Sequence, residues 1–482
     1  MARRVAIDPV SRVEGHGKVT LLVDDDHHIT EARLHIVEFR GFEKFIQGRP
    51  YWELPLVVQR LCGICPVSHH LAAAKAIDQI AGVDQLTEAA LALRKLMHFA
   101  QVLQSHSLHF FHLASPDLLF GFDSDVAKRN IVAVIRHHQT LALQGVRIRK
   151  FGQQVIEVIS GKRIHGIAAV PGGMNQPLTV DKITPFKQQV SDIISWCDET
   201  VQTVRDLFQA NRDFHENFGT APAAFLSLVG PQDQLELYDG EIKVIDACGQ
   251  LLHRQPCDQY HHLLQEQVKS WSYMKFPFLS DLTPDTGWYR VGPLARLNTC
   301  SRIDTPKAEQ RRQEYLALLG KTVQAPLAYH WSRMIEALHC AEAIAVLLDD
   351  PALLSDDLVN QGNKQQEGIG IIEAPRGTLI HHYRINEQDQ VTMANLIVST
   401  TNNNQAMNES IRRVANDHLN GRELTPELLN LVEVAIRAYD PCLSCATHAA
   451  GKMPLQLDLT RTDGTLLGSL TRHSDGSIQH AD

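Results

Sequence analysis

The stretch Thr87–Ala114, TEAALALRKLMHFAQVLQSHSLHFFHLA, decides the fold class. Its apolar residues fall around most of the circumference of a 3.6-residue helix, the pattern of a helix buried on nearly every side. Further long helical candidates cover residues 126 to 160, 183 to 217 and 325 to 350. Between them lie strong breakers: PGGMNQP at 171 to 177, and Pro/Gly-rich polar stretches near 280 to 297 and 351 to 370. A shorter amphipathic helix is predicted from Thr425, a good N-cap, with Pro426 at the first helical position and Glu427 beside the positive end of the dipole. It should end near Tyr439, because Pro441 drives the residue before it out of the helical region. KVTLLV and ITEARLHIVEF flank the turn-like DDDHH and predict a β-hairpin over residues 18 to 40. The expected fold is mainly α: a central bundle of long helices with a small N-terminal β-sheet and an irregular periphery.

Of the 482 residues, 44% are apolar and 21% charged, which suits a globular chain and excludes a disordered or fibrous one. The net charge of −9, with no dense Lys/Arg face, argues against a nucleic-acid binder. No 18-residue apolar run is present, so no spanning helix is expected. MARRVAIDPV carries no apolar stretch of a signal peptide, and the cytoplasm is the expected compartment. Nine cysteines in such a chain do not make a disulfide framework. EGIGIIE at 367 to 373 lacks the third glycine of a dinucleotide loop. Residues 449 to 482 change to short strand-like pieces with turn-rich spacers and look appended to the fold.

Four of the cysteines form two Cys-x-x-Cys pairs. One lies in Arg60-Leu61-Cys62-Gly63-Ile64-Cys65-Pro66-Val67-Ser68-His69, the other in Asp440-Pro441-Cys442-Leu443-Ser444-Cys445-Ala446-Thr447-His448. Four thiolates can converge on one soft divalent metal, and a structural zinc clip is the plain reading. A zinc ribbon joins pairs within about 15 to 20 residues, whereas these stand near opposite ends of the chain. Spacing alone leaves zinc open, although Arg60, Gly63 and Pro441 have no role in a simple tetrahedral clip.

The two motifs together resemble the paired signature of nickel-iron hydrogenase large subunits. Supporting stretches are RVEGHG at 12 to 17, EFRGFEKF at 38 to 45, VPGGMN at 170 to 175, SYMKFP at 272 to 277 and EAPRGTLIHHY at 373 to 383. The wording is most similar to the cytoplasmic, bidirectional NAD-reducing type. The related quinone-site subunit of respiratory complex I lacks the four cysteines.

The resemblance implies that Cys62, Cys65, Cys442 and Cys445 bind nickel, with Cys65 and Cys445 bridging to an iron that carries carbon monoxide and two cyanides. Soft sulfur donors suit such a site independently of the family. It further implies heterolytic cleavage of dihydrogen, with the Cys442 thiolate as first proton acceptor and Glu14 as relay carboxylate. Arg376 matches the guanidinium over the open metal position. Pro375, Arg376 and Thr400 match the groups that hydrogen-bond the cyanides, and Asp440 matches a carboxylate beside them. Glu43, His448 and the carbonyl of Leu396 resemble ligands of a magnesium or iron ion near the C-terminus, whereas His69 is expected to hydrogen-bond rather than ligate. His106, His109 and His112 read individually as core or surface residues. Two departures stand out: Ser105 occupies a position where membrane-bound relatives commonly carry an aspartate near the arginine, and Ser399 replaces a proline.

Family members are cut after the histidine of the second motif. Residues 1 to 448 would therefore be the catalytic domain and 449 to 482 a maturation peptide, removed by an endopeptidase with a chaperone attending. Cys197, Cys248, Cys257, Cys300 and Cys340 make no cluster-binding series, so electrons must leave through another chain. The implied partners are a small subunit with an iron-sulfur cluster and a diaphorase module carrying FMN and NAD. The runners-up are a deazaflavin- or NADP-linked hydrogenase and a zinc-holding, complex-I-like structural subunit.

Overall fold

The computed structural model describes residues 3–8, 11–24, 28–36, 41–125, 127–269, 271–419, 426–443, 455–461, 466–472 and 478–481. Helix α1 (Pro66–Ile80) leads from the first cysteine pair to α2 (Glu88–Leu108). Thr87 caps α2, its hydroxyl accepting from the Ala90 amide at 3.1 Å. α2 packs along its length on α3 (Gln139–Ser160) and on α5 (Ala328–Leu348), and α5 in turn packs on α4 (Val180–Ala210). Phe110, Phe111, Met97 and Trp331 lie in this shared core. Each such side chain stabilises the fold by about 1.5–3 kcal/mol on burial.

The helix expected through Ala114 changes character before its end. Regular α turns stop at Leu108, and His109–Ala114 form a π-helical turn ahead of the short helix Ser115–Phe120. Single π turns re-aim side chains within a helix and are common at functional sites. The single helix expected over 126 to 160 is two, Ile131–His137 and α3, broken at His138 (φ −131°, ψ 50°). No Pro or Gly marks this break. α3 is set instead by its crossing with α2, where a Cβ at Gly152 would stand 2.7 Å from the Ala100 carbonyl.

The hairpin predicted over 18 to 40 is β2 (Gly17–Val23) against β3 (Ile29–Ile36); residues 37–40 lie outside the described residues. It belongs to a larger sheet. β1 (Arg3–Asp8) pairs antiparallel with β2 on one side. On the other side it pairs with a strand at Leu455–Arg461, from which the sheet continues through Leu466–Arg472 and Ile478–Ala481. The segment expected as an appendage is therefore built into the N-terminal sheet.

Part of the periphery expected to be irregular is also sheet. Ala224–Val229, Glu241–Ile245, Leu251–Gln255 and Tyr289–Arg290 make one four-stranded sheet. β4 (Glu367–Ala374), β5 (Gly377–Ile385) and β6 (Val391–Ile397) make an antiparallel meander laid on α1. The glycines of EGIGIIE serve this contact: a Cβ at Gly368 or Gly370 would come within 2.0 Å of the Ala76 or Ala72 carbonyl. Helix α6 (Pro426–Ala438) ends one residue before Tyr439, and Asp440 takes a left-handed backbone (φ 53°) that turns the chain into the second cysteine motif.

Candidate metal centre

Three elements deliver the thiols. A 3-10 turn, Val58–Leu61, ends at Cys62; Cys65 stands at the N-cap of α1; Cys442 follows α6. Cys62 Sγ lies 2.7 Å from Cys65 Sγ and 3.6 Å from Cys442 Sγ, across 380 residues of sequence, and no disulfide joins them. All three are buried and form their own small cluster. The neighbouring Cys442 and Cys62 thiols, with burial, push the Cys65 thiol well above the ordinary range. Such crowding of protonated thiols is relieved when a cation binds thiolates, because coordination removes the protons and the repulsion together. A ring nitrogen of His69 stands within 4.8 Å of the Cys62 and Cys65 sulfurs. Cys445 and His448 lie outside the described residues.

Above the thiols, Pro375 and Arg376 are the two-residue turn between β4 and β5, with Ala374 paired to Gly377 (φ 136°). The turn points Arg376 inward. Its Nε donates to the Asp440 carbonyl at 2.5 Å, and Nη2 to Asp440 Oδ1 at 3.2 Å. Burial opposes the charge on Arg376, but Asp440 and the three cysteines outweigh it, so the guanidinium stays protonated. Arg376 Nη1, Asp440 Oδ2 and Ser105 Oγ are buried without a hydrogen-bond partner among the described residues. An orphaned guanidinium nitrogen beside soft thiols fits a metal centre bearing anionic ligands better than it fits a bare zinc clip. Thr400 Oγ1 accepts from the Cys442 amide at 3.0 Å, and Ser399 Oγ donates to the Gly377 carbonyl at 2.8 Å. Glu14 reaches the site through its backbone, as a bridge to Cys442 with Leu443 N donating to the Glu14 carbonyl at 2.9 Å.

Glu43 and Leu396 also meet, the Leu396 amide donating to Glu43 Oε1 at 3.0 Å. Lys275 stands 3.6 Å from the same carboxylate and 3.1 Å from Glu266. A cavity of about 270 Å³ runs from this pair to the thiols, with His69, Thr400 and Cys442 in its wall. Carboxylates and space for water suit a hard cation there.

The sequence reading missed the charged shell behind Arg376. Arg296 is fully buried. Its Nε and Nη2 donate to Glu336, its Nη1 to Glu373 and the Ala374 carbonyl, and Nη2 also to the Pro375 carbonyl. His106 Nε2 contacts Glu336 at 2.8 Å. His109, re-aimed in the π turn, places Nδ1 3.0 Å from Asp440 Oδ1 and stacks on His330. Burial and the nearby Arg333 hold the His109 pKa at about 4, so the ring is neutral at pH 7. Burial alone would raise the Asp440 carboxyl, but Arg376, His109 and Arg333 hold it well below the usual range. The helical spacing of His106 and His109 placed them on one helix, but nothing in the sequence pointed to their distant partners.

The nickel-dependent hydrogenase family profile matches residues 40–120 and 251–448, and a HoxL-like profile matches residues 4–39. The beta subunit of the NAD-reducing hydrogenase HoxS of Cupriavidus necator is 43% identical over 488 residues, covering 98% of this chain and all of that one. A vhc F420-non-reducing hydrogenase subunit from Methanococcus voltae is 38% identical over 95% of this chain and 97% of its own length. Among solved structures, an NAD+-reducing [NiFe]-hydrogenase in the H2-reduced state superposes with a TM-score of 0.90 at 53% identity, over 92% of this chain and 99% of that one. The Ni-Fe-Se hydrogenase of Desulfovibrio vulgaris Hildenborough shares the fold, with a TM-score of 0.74 at 22% identity over 92% of this chain and all of its own. With the thiols gathered beneath Arg376 and these relatives matched from end to end, the chain belongs to the nickel-dependent hydrogenases, as a large subunit.

Proposed function

We propose that this chain splits dihydrogen reversibly and heterolytically at a nickel-iron centre held by Cys62, Cys65, Cys442 and Cys445, and passes the electrons to partner subunits. One observation carries the reading: three buried thiols from the two ends of the chain converge beneath a guanidinium that keeps one nitrogen uncommitted among the described residues. When bound, the nickel-iron centre with its carbon monoxide and cyanide ligands supplies the two-electron chemistry. The protein does the rest. Arg376 places fixed positive charge beside the thiols, where it would favour developing negative charge in a site shielded from water. Pro375, Arg376 and Thr400 border the space for the cyanides. Cys442 Sγ takes the proton, and Glu14, joined to the Cys442 backbone, passes it outward. Asp440 keeps Arg376 in place.

Glu43, Leu396 and His448 are proposed to hold a magnesium or iron ion at the end of the cavity. A small subunit with an iron-sulfur cluster, and a diaphorase module with FMN and NAD, would carry the electrons away in the cytoplasm. No helix among the described residues is long and apolar enough to cross a membrane. Cutting after His448 is proposed to release residues 449–482. Infrared spectroscopy of the co-matured protein between about 1900 and 2100 wavenumbers tests the reading. One carbonyl band with two cyanide bands is expected. Zinc and no such bands in a chain cut after His448 would refute it.

A further inference from the structure

A second cavity, of about 590 Å³, shares no lining residue with the one beside the thiols. It lies where the strands Glu241–Ile245 and Leu251–Gln255 meet the helices Pro293–Thr299 and Pro306–Leu319. Pockets of this size hold small organic ligands. Four cations stand in its wall, Lys243, Arg254, Arg312 and Lys321, against one carboxylate, Asp233. Two further carboxylates touch these cations, Glu241 at Arg254 and Glu309 at Arg312, and the group still keeps a positive charge in excess. Ile245, Leu251, Leu297 and Leu316 supply apolar surface to the same cavity.

Arg312 is the informative residue. It is 3% exposed, and its Nε and Nη2 are spent on Glu309 and the Ser301 carbonyl. Its Nη1 makes no hydrogen bond among the described residues. Lys243 Nζ donates to Asp233 and to the Thr299 carbonyl, each at 2.9 Å, which leaves one of its three hydrogens. Lys321 is exposed and has no ion pair or hydrogen bond among the described residues. Arg312 and Lys243 both lie near enough to Cys300 to favour its thiolate, but burial outweighs them and pushes that thiol up to about 12, so it stays neutral. Asp233 and the carbonyls of Thr299 and Ser301 are taken up by the cations, so donors are what this wall has left to give. A phosphate group carries about two negative charges and three strong acceptor oxygens, and Arg and Lys meet it through charge-assisted hydrogen bonds. We propose that this cavity is a second ligand site, for phosphate, free or as a small organic ester: Arg312, Lys243 and Lys321 bind the phosphate, and the four aliphatic side chains receive the body of an ester. The inference stands apart from the nickel-iron reading, since none of these residues belongs to that centre.

Cys248, exposed and in the same wall, reports occupancy. The purified, co-matured protein is alkylated with iodoacetamide at constant ionic strength, with adenosine monophosphate, inorganic phosphate or chloride added, and labelling of Cys248 is followed by peptide mass spectrometry. Adenosine monophosphate should slow the labelling severalfold and saturably. Arg312→Gln should raise the half-protecting concentration about 10-fold or more, the loss of a hydrogen bond from a charged group. Lys321→Glu changes only an exposed side chain, so it leaves the core intact, and should raise that concentration about 3-fold. Inorganic phosphate that restores labelling at equal concentration marks a site for the free ion; failure to restore it marks a site for esters. Labelling no slower in either phosphate than in chloride overturns the inference, as does protection that both substitutions leave unchanged. So does a Cys248 that the reagent reaches only after unfolding, because the cavity would then be closed in the assembled protein.

Discussion

Replacing Arg296 by methionine tests the buried charge network most directly. The guanidinium serves five acceptor contacts: two on Glu336, one on Glu373, and the carbonyls of Ala374 and Pro375. Methionine fills comparable space and serves none. Removing one partner of a buried ion pair costs about 3–5 kcal/mol, and each abandoned carbonyl adds about 1 kcal/mol. Glu336 keeps His106, and Glu373 keeps Thr378 and the Leu228 amide. The expected loss at pH 7 is therefore about 4–6 kcal/mol, measured from urea unfolding. The sign with pH is defined. In the parent, burial would raise the Glu336 carboxyl, but Arg296 and His106 outweigh it and hold it at about 2. That contribution is present above the ordinary carboxyl range and fades as pH falls toward 2. Without Arg296 the folded-state pKa rises, so the variant's deficit should be smaller at pH 5 than at pH 8. Adding Glu336→Gln and Glu373→Gln should return at least about 1.5 kcal/mol, because no buried charge is then left unpaired. A loss below about 1 kcal/mol, or a triple variant no more stable than Arg296→Met, would refute the reasoning.

Arg376→Lys removes the fork that spans the Asp440 carbonyl and carboxylate, and turnover should fall about 10²–10³-fold with nickel and iron content unchanged. Glu14→Gln should slow hydrogen–deuterium exchange into solvent by about 10²–10⁴-fold while the infrared bands stay in place. Gly370→Ala would put a Cβ 2.0 Å from the Ala72 carbonyl, forcing β4 off α1 at a cost of about 1–3 kcal/mol. Because Cys65 is the N-cap of α1, nickel occupancy measured by plasma emission should fall with it.

The sequence already contained the bundle and the thiols, because both are written in short-range patterns: the periodicity of Thr87–Ala114 and the paired motifs around Cys62 and Cys442. What it concealed depends on partners far along the chain. The glycines of EGIGIIE looked like a failed nucleotide loop until α1 was seen lying on them. His109 looked like an ordinary helical histidine, and only the π turn and Asp440, 331 positions later, give it a task. Arg296, Glu336 and Glu373 carry no local sign of burial, since a charged residue is read as solvated unless its counterion is in view. The break at His138 was hidden for the same reason, as was the pairing of β1 with Leu455–Arg461, although the strand-like character of residues 449 to 482 was legible.

The bridge between Glu14 and Cys442 gives the centre a place in time as well as in space. Cys62 and Cys65 emerge early from the ribosome, yet their partner Cys442 and the strand that flanks β1 are made only in the last tenth of the chain. Closing so long a loop carries an entropic cost that only the finished core can offset. A nascent chain can thus display the first thiol pair for most of its synthesis without being able to enclose a metal. A site built from all three sulfurs cannot close before Cys442 has been made.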